Sequence, residues 1–121
     1  MNRSPEASLN SAKQQAENTL KLNPHSAPAY SQLAEIELMR ADWKLSHKQP
    51  VDEALQAGLT AIERSIQIKS DDGKAYSIKA RLLMHQAQSA EAVKNFEKAF
   101  TLNPVIKAAN MEFFTKAQSL H

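Results

Sequence analysis

The 121-residue sequence has no cysteine, two glycines and five prolines. Without cysteine there is no disulfide staple, no thiol nucleophile and no thiolate-bound metal, which fits a reducing compartment and points to the cytoplasm. Aromatic residues are few, with one Trp, two Tyr and four Phe. Charge of one sign is also lacking: 15 Lys and Arg against 13 Asp and Glu leave a formal net charge of +2. That is too little to imply a nucleic acid or an acidic membrane as partner. No apolar run approaches the roughly eighteen residues of a membrane span, and the opening MNRSPEASLN has no apolar signal core. Membrane insertion by this segment is therefore not expected.

The usual marks of catalysis are missing too. There is no Gly-rich phosphate loop, no nucleophile elbow and no HExxH. His25, His47, His85 and His121 are scattered without metal-ligand spacing. Glu35 and Glu37 stand two apart, so on a helix they face different sides. The sequence thus predicts no catalytic residue, no cofactor and no metal.

What remains is helix-forming material. Hydrophobic residues make up 42% and charged residues 23%, an ordinary balance for a folded domain, and Ala, Leu, Lys, Gln and Glu favour helix. The spacing predicts one all-α domain of about six helices. Residues 5–22 form the first, opened by Ser4-Pro5-Glu6 and carrying a narrow face of Leu9, Ala12, Ala16, Thr19 and Leu20 up to Asn23-Pro24. The second starts at Ser26, tolerates Pro28 in its first turn, and runs past Trp43 to about Ser46. Its buried side is marked by Tyr30, Leu33, Ala34, Glu37, Leu38, Ala41 and Leu45.

His47-Lys48-Gln49-Pro50 breaks the chain, with Pro50 suited to the first turn of the third helix. That helix carries Val51, Leu55, Gly58, Leu59, Ile62, Ser65, Ile66 and Lys69 on one stripe. Ser70-Asp71-Asp72 follows, and either aspartate can cap the fourth helix. From Gly73, Tyr76, Ala80, Leu83 and Ala87 share a face. After a turn at Ala87-Gln88-Ser89, Ala92, Val93, Phe96, Ala99 and Phe100 do the same, until Asn103-Pro104. Ile106, Ala109, Phe113, Ala117 and Leu120 mark a last helix over 107–121, with Phe114 off the stripe.

The stretch from Gly73 to Pro104 resembles a tetratricopeptide repeat, a helix–turn–helix unit of about 34 residues. The family's early aromatic, Leu, Gly and large slots hold Tyr76, Lys79, Ala80 and Leu83. Its second-helix Ala, aromatic, Ala and Pro slots hold Ala92, Phe96, Ala99 and Pro104. Lys79 departs from an apolar slot, and its stem can lie along apolar surface. The register extends upstream: Tyr30, Leu33 and Ala34 match Tyr76, Lys79 and Ala80, and Gly58, Ile62 and Ser65 match Ala92, Phe96 and Ala99. Leu22-Asn23-Pro24 repeats Leu102-Asn103-Pro104. The chain divides into a half repeat (5–22), an enlarged repeat (27–72), a standard repeat (73–106) and a terminal or capping helix (107–121).

The resemblance implies a right-handed α–α superhelix and a non-catalytic scaffold that binds a peptide or protein segment in its concave groove. The first helix of each pair lines that groove. The residues expected there are Ser31, Glu35, Leu38 and Met39, then Lys74, Ser77, Arg81, Met84 and His85, then Met111 and Thr115. The competing reading is that Leu38, Met84 and Met111 merely fill contacts between repeats. The clamp by which related domains hold the acidic C-termini of chaperones is not expected, because Ile78 stands where a second basic residue belongs and Glu35 where a polar amide belongs.

Two further features invite function. Trp43 among Arg40, Lys44, His47 and Lys48 is either a docking knob or a staple for the long second helix. The end helices, through Leu9, Ala16 and Leu20 or Phe113, Phe114 and Leu120, offer an alternative function in structural self-association. The segment Gly58–Ile68, of the form GL-x-A-x-x-R-S-I-x-I, also resembles repeat arrays appended to bacterial serine/threonine protein kinases. That resemblance implies a fragment of a larger signalling protein, with any kinase activity outside this sequence.

Overall fold

A computed structural model of the chain describes residues 4–120. Six helices follow in order: α1 (Glu6–Leu22), α2 (Ala27–Ser46), α3 (Asp52–Ile68), α4 (Gly73–His85), α5 (Ser89–Leu102) and α6 (Lys107–Leu120). A single 3-10 turn, Pro104–Ile106, precedes α6. No strand occurs among the described residues. Each helix packs on the next, most extensively α2 on α3 and α4 on α5. The first helices of successive pairs also touch, α2 against α4 and α4 against α6.

The helix ends follow the local chemistry. Ser26 caps α2 by accepting from the Ala29 N–H at 3.3 Å, and Asp72 caps α4 by accepting from the Lys74 N–H at 3.1 Å. At α1 the cap position falls on Pro5, one residue later than expected, although the Ser4 hydroxyl still accepts from the Glu6 N–H. Pro50 lies outside α3, whose first helical residue is Asp52, so it ends a loop instead of opening a helix. Asp52 and Glu53 instead supply negative charge to that helix's first turn.

α2 and α4 end alike. In α2 the Gln49 N–H reaches back to the Lys44 carbonyl at 2.8 Å, and in α4 the Gln88 N–H reaches Leu83 at 3.0 Å. Each closure places the residue before it in the left-handed region, Lys48 at φ 56° and Ala87 at φ 61°. This is the Schellman closure of a helix, made here without the glycine that usually occupies that position.

The core has two parts. The first joins Ala34, Leu38 and Ala41 of α2 to Leu55 and Ile62 of α3 and to Ile78 and Leu82 of α4. The second joins Ala80 and Leu83 of α4 to Ala92, Val93 and Phe96 of α5 and to Ala117 of α6. α4 therefore feeds both cores from two faces, which is why so many of its side chains are buried. Phe96 is fully buried, worth about 1.5–3 kcal/mol of transfer free energy. Gly58 is needed where α3 crosses its neighbours: a Cβ there would stand 2.9 Å from Leu82 and 3.3 Å from the Glu37 Cβ.

The two helix pairs repeat one another in detail. Arg64 stands over the Tyr30 ring and Lys98 over the Tyr76 ring, at 5.9 and 6.0 Å, as the register pairing Tyr30 with Tyr76 requires. The end of α3 touches the start of α2 through Ser65 Oγ, which donates to the Ala27 carbonyl at 2.9 Å. In the second pair the Ala99 carbonyl comes so near Gly73 that a Cβ there would lie 2.8 Å from it. Lys79, the charged residue in an apolar slot, reaches Glu63 of α3 at 3.7 Å.

Several buried-face expectations need correction. Thr19 is exposed, and its hydroxyl turns back to its own helix at the Gln15 carbonyl. Leu45 is 43% exposed because α2 outruns its partner helix there. Lys69 and Ala87 are exposed because both lie past the helix ends. Ala109 and Leu120 are exposed as well, while Phe113 and Ala117 of the predicted stripe pack on the second core; beside them Phe114, expected off the stripe, sits against Phe96 and Phe100 at ring distances of 6.0 and 5.2 Å. Leu9 and Ala16, expected as a self-association face, are already buried within the chain, where α1 packs on α2.

Candidate functional site

The first helices of each pair line a continuous groove. One end, of about 250 Å³, is walled by Glu35 of α2, by Lys74, Ser77, Ile78 and Arg81 of α4, by Ile106 of the 3-10 turn and by Asn110 of α6. The adjoining end, of about 300 Å³, has Arg81, Met84 and His85 on one side and Glu112, Phe113, Lys116 and Leu120 on the other. Arg81 belongs to both, so it stands at the centre.

Charge pairs span the groove's helices. Lys74 Nζ lies 3.6 Å from Glu35, and Asp42 receives both His85 Nε2 at 2.6 Å and Arg81 at 3.5 Å. The Arg81 guanidinium also stacks on the Phe113 ring, 4.3 Å from its centroid. One residue of α4 thereby contacts α2 through a carboxylate and α6 through an aromatic face. Stacking fixes the guanidinium plane while leaving most of its five N–H donors for an incoming group.

The structure brings together Glu35, Lys74, Ser77, Arg81 and Met84, as the sequence groups them. Ser77 is buried at the floor, its hydroxyl donating to the Lys74 carbonyl at 2.7 Å. Met84 is half-buried against the second core. Three expected groove residues lie elsewhere. Leu38 is 1% exposed and belongs to the first core, because α2 is covered by α1, α3 and α4 and must bury more than one stripe. Ser31 turns toward α3, its hydroxyl 2.6 Å from that of Ser65. Met111 is exposed on α6 and is not part of the groove wall. Asp42 and Phe113 are not among the expected site residues. Asp42 follows Glu35 by seven positions, about two turns, so extending the Glu35 stripe finds it.

A second polar assembly fastens α1 to α2. Arg40 donates from Nη1 to both Glu37 carboxylate oxygens at 2.8 and 2.9 Å, from Nε to Glu6 at 3.1 Å, and from Nη2 to Asn10 at 3.1 Å. Burial alone would lower the Arg40 pKa, but the hydrogen bonds and charges of Glu37 and Glu6 outweigh it and hold the pKa above its ordinary value. Trp43 is half-buried nearby, stacked on His47 with ring centroids 4.0 Å apart. It lines, with Arg40, the cleft between α1 and α3. Arg40 thus fastens the long helix to α1, while Trp43 stacks on the residue that ends its own helix.

Among the described residues no three His, Asp or Glu side chains come together as metal ligands. His121 lies outside them. No described helix is long and apolar enough to cross a membrane. No protein-family model matches the chain, and no curated protein matches it.

Proposed function

We propose that this chain is a non-catalytic scaffold of tetratricopeptide-like repeats, stacked as a right-handed superhelix, that holds a peptide or protein segment in the groove of α2, α4 and α6. The observation that carries this reading is the convergence of Glu35, Lys74, Ser77, Arg81 and Met84 on one continuous groove. Such a surface combines half-exposed apolar walls with a few fixed polar groups, which suits segment recognition better than bond-making. The recurrence of the same contacts in both helix pairs supports the repeat reading. The resemblance of Gly58–Ile68 to kinase-appended arrays supports, on sequence alone, a setting in a larger bacterial signalling protein.

A selection of random linear 12-residue peptides displayed on phage tests the reading. Enriched peptides should bind the wild-type chain with micromolar dissociation constants, and Arg81→Glu should weaken them at least tenfold. Peptides that bind wild type and Arg81→Glu equally, or no enrichment at all, would overturn the groove as the binding surface.

A further inference from the structure

The charges that line the groove are not balanced within the chain. Three cations, Lys74, Arg81 and Lys116, face its occupant against two carboxylates, Glu35 and Glu112. Asp42 lines neither end of the groove, and its shorter contact is with His85, at 2.6 Å. Arg81 reaches Asp42 through a single nitrogen at 3.5 Å, the outer limit of a hydrogen bond. Among the described residues no other oxygen accepts from Arg81, although its side chain is 31% exposed. Resting on the groove reading above, we infer that the bound segment carries an internal acidic side chain, taken by Arg81, close to a large apolar side chain seated against Met84, Phe113 and Leu120.

The case for a carboxylate is geometric as well as electrostatic. The Phe113 ring, 4.3 Å from the guanidinium, holds its plane, so little orientation is lost when a planar carboxylate meets two of its N–H groups. Lys74, by contrast, already has Glu35 at 3.6 Å. Lys116 makes no ion pair among the described residues and adds positive charge on the α6 wall of the same pocket. The acidic residue lies within the segment and not at its end, because the groove continues on both sides of Arg81. A terminal carboxylate at that central point would leave one side of the groove empty.

The apolar neighbour follows from the same pocket. Its volume of about 300 Å³ is at the lower end for ligand sites and suits one large side chain better than a whole helical face. Leu120 stands 63% exposed at its rim, so an apolar side chain seated there removes surface that the chain alone leaves in water. Phe113 forms part of this wall and also carries Arg81. The two recognised side chains are therefore neighbours in the segment, within two positions of each other.

The test takes linear 12-residue peptides enriched on the whole chain and resynthesises them with acetylated and amidated ends. Each is paired with a copy whose acidic residue is replaced by its amide, and binding is read by fluorescence anisotropy. The expected result is an Asp or Glu within two positions of Leu, Met or Phe, and at least tenfold weaker binding by the amide copy. Arg81→Gln, its fold checked by circular dichroism, should cause the same loss, and the two changes together should add little more. Lys21→Gln, which removes an exposed charge on α1, should leave affinity within twofold. Amide copies that bind as tightly, while Arg81→Glu still weakens both, would overturn the acidic residue and leave the groove standing. Equal losses from Arg81→Gln and Lys21→Gln would overturn it too, since bulk charge then explains the attraction. So would peptides that bind only with a free C-terminus, and no enrichment at all would remove the groove reading along with it.

Discussion

Asp42 Oδ1 and His85 Nε2 lie 2.6 Å apart and join α2 to α4 across the groove, with Arg81 on the same carboxylate. Neighbouring helix pairs share less contact than helices within a pair, so a polar tie between them has weight in setting their relative angle. The carboxylate is 43% exposed and screened by water. Asp42→Ala should therefore cost only about 0.5–1 kcal/mol in urea unfolding. A double-mutant cycle with His85→Gln should return a coupling of similar size. Additive losses would show that the contact contributes nothing to folding.

The Arg40 assembly is a different case because it is buried. The side chains of Arg40 and Glu37 are 12% and 9% exposed. Arg40→Leu strands the Glu37 carboxylate and should cost about 3 kcal/mol, whereas Arg40→Leu/Glu37→Leu removes both charges and should recover most of the loss. Glu6→Ala, which removes a 43% exposed partner, should cost less than about 1 kcal/mol. Denaturant midpoints of the three variants check the order. A double variant less stable than Arg40→Leu would mean the pair contributes more than its desolvation costs.

Ala87 holds a left-handed conformation, φ 61°, to close α4. That conformation costs alanine roughly 1–2 kcal/mol and glycine almost nothing, though glycine loses more backbone entropy on folding. Ala87→Gly should raise stability by about 0.5–1 kcal/mol, seen as a higher thermal midpoint with an unchanged circular dichroism spectrum. The sign is the informative part, because glycine lowers stability at most helical positions.

The strongest periodicities are legible in the residues alone. Ala92, Val93, Phe96, Ala99 and Phe100 are each buried or half-buried as their spacing implies, and Asn103-Pro104 ends α5 where the chemistry of proline requires. The caps at Ser26 and Asp72 and the long run of α2 to Ser46 are equally plain. Local pattern fails at choices between stripes on helices with several neighbours. Leu38 belongs to the core and Glu35 to the groove, three residues apart, and only the packing of α1, α3 and α4 around α2 decides which stripe is which. The groove is half legible for the same reason. Lys74 and Arg81 declare themselves by charge, but the ring that orients Arg81 comes from α6, thirty-two residues on, and no local pattern predicts that contact.

Phe114 is the sharpest departure from local periodicity, and it fixes the end of the molecule. Its ring meets those of Phe96 and Phe100 edge-on, at interplanar angles of 77° and 80°. Edge-to-face pairs add about 0.5–1.5 kcal/mol to the transfer free energy of the ring. α6 buries only Ala117 completely, so little else holds it. Phe114→Ala should therefore cost about 3 kcal/mol, and the loss should be local, with faster amide exchange along α6 while α2–α5 keep their protection. Phe113→Ala touches the same helix from the groove side, where Arg81 covers the ring. It should cost less stability than Phe114→Ala and weaken groove peptides instead. If Phe113→Ala proves the more destabilising of the two, then α6 is held by the Arg81–Phe113 stack and not by the aromatic cluster on α5.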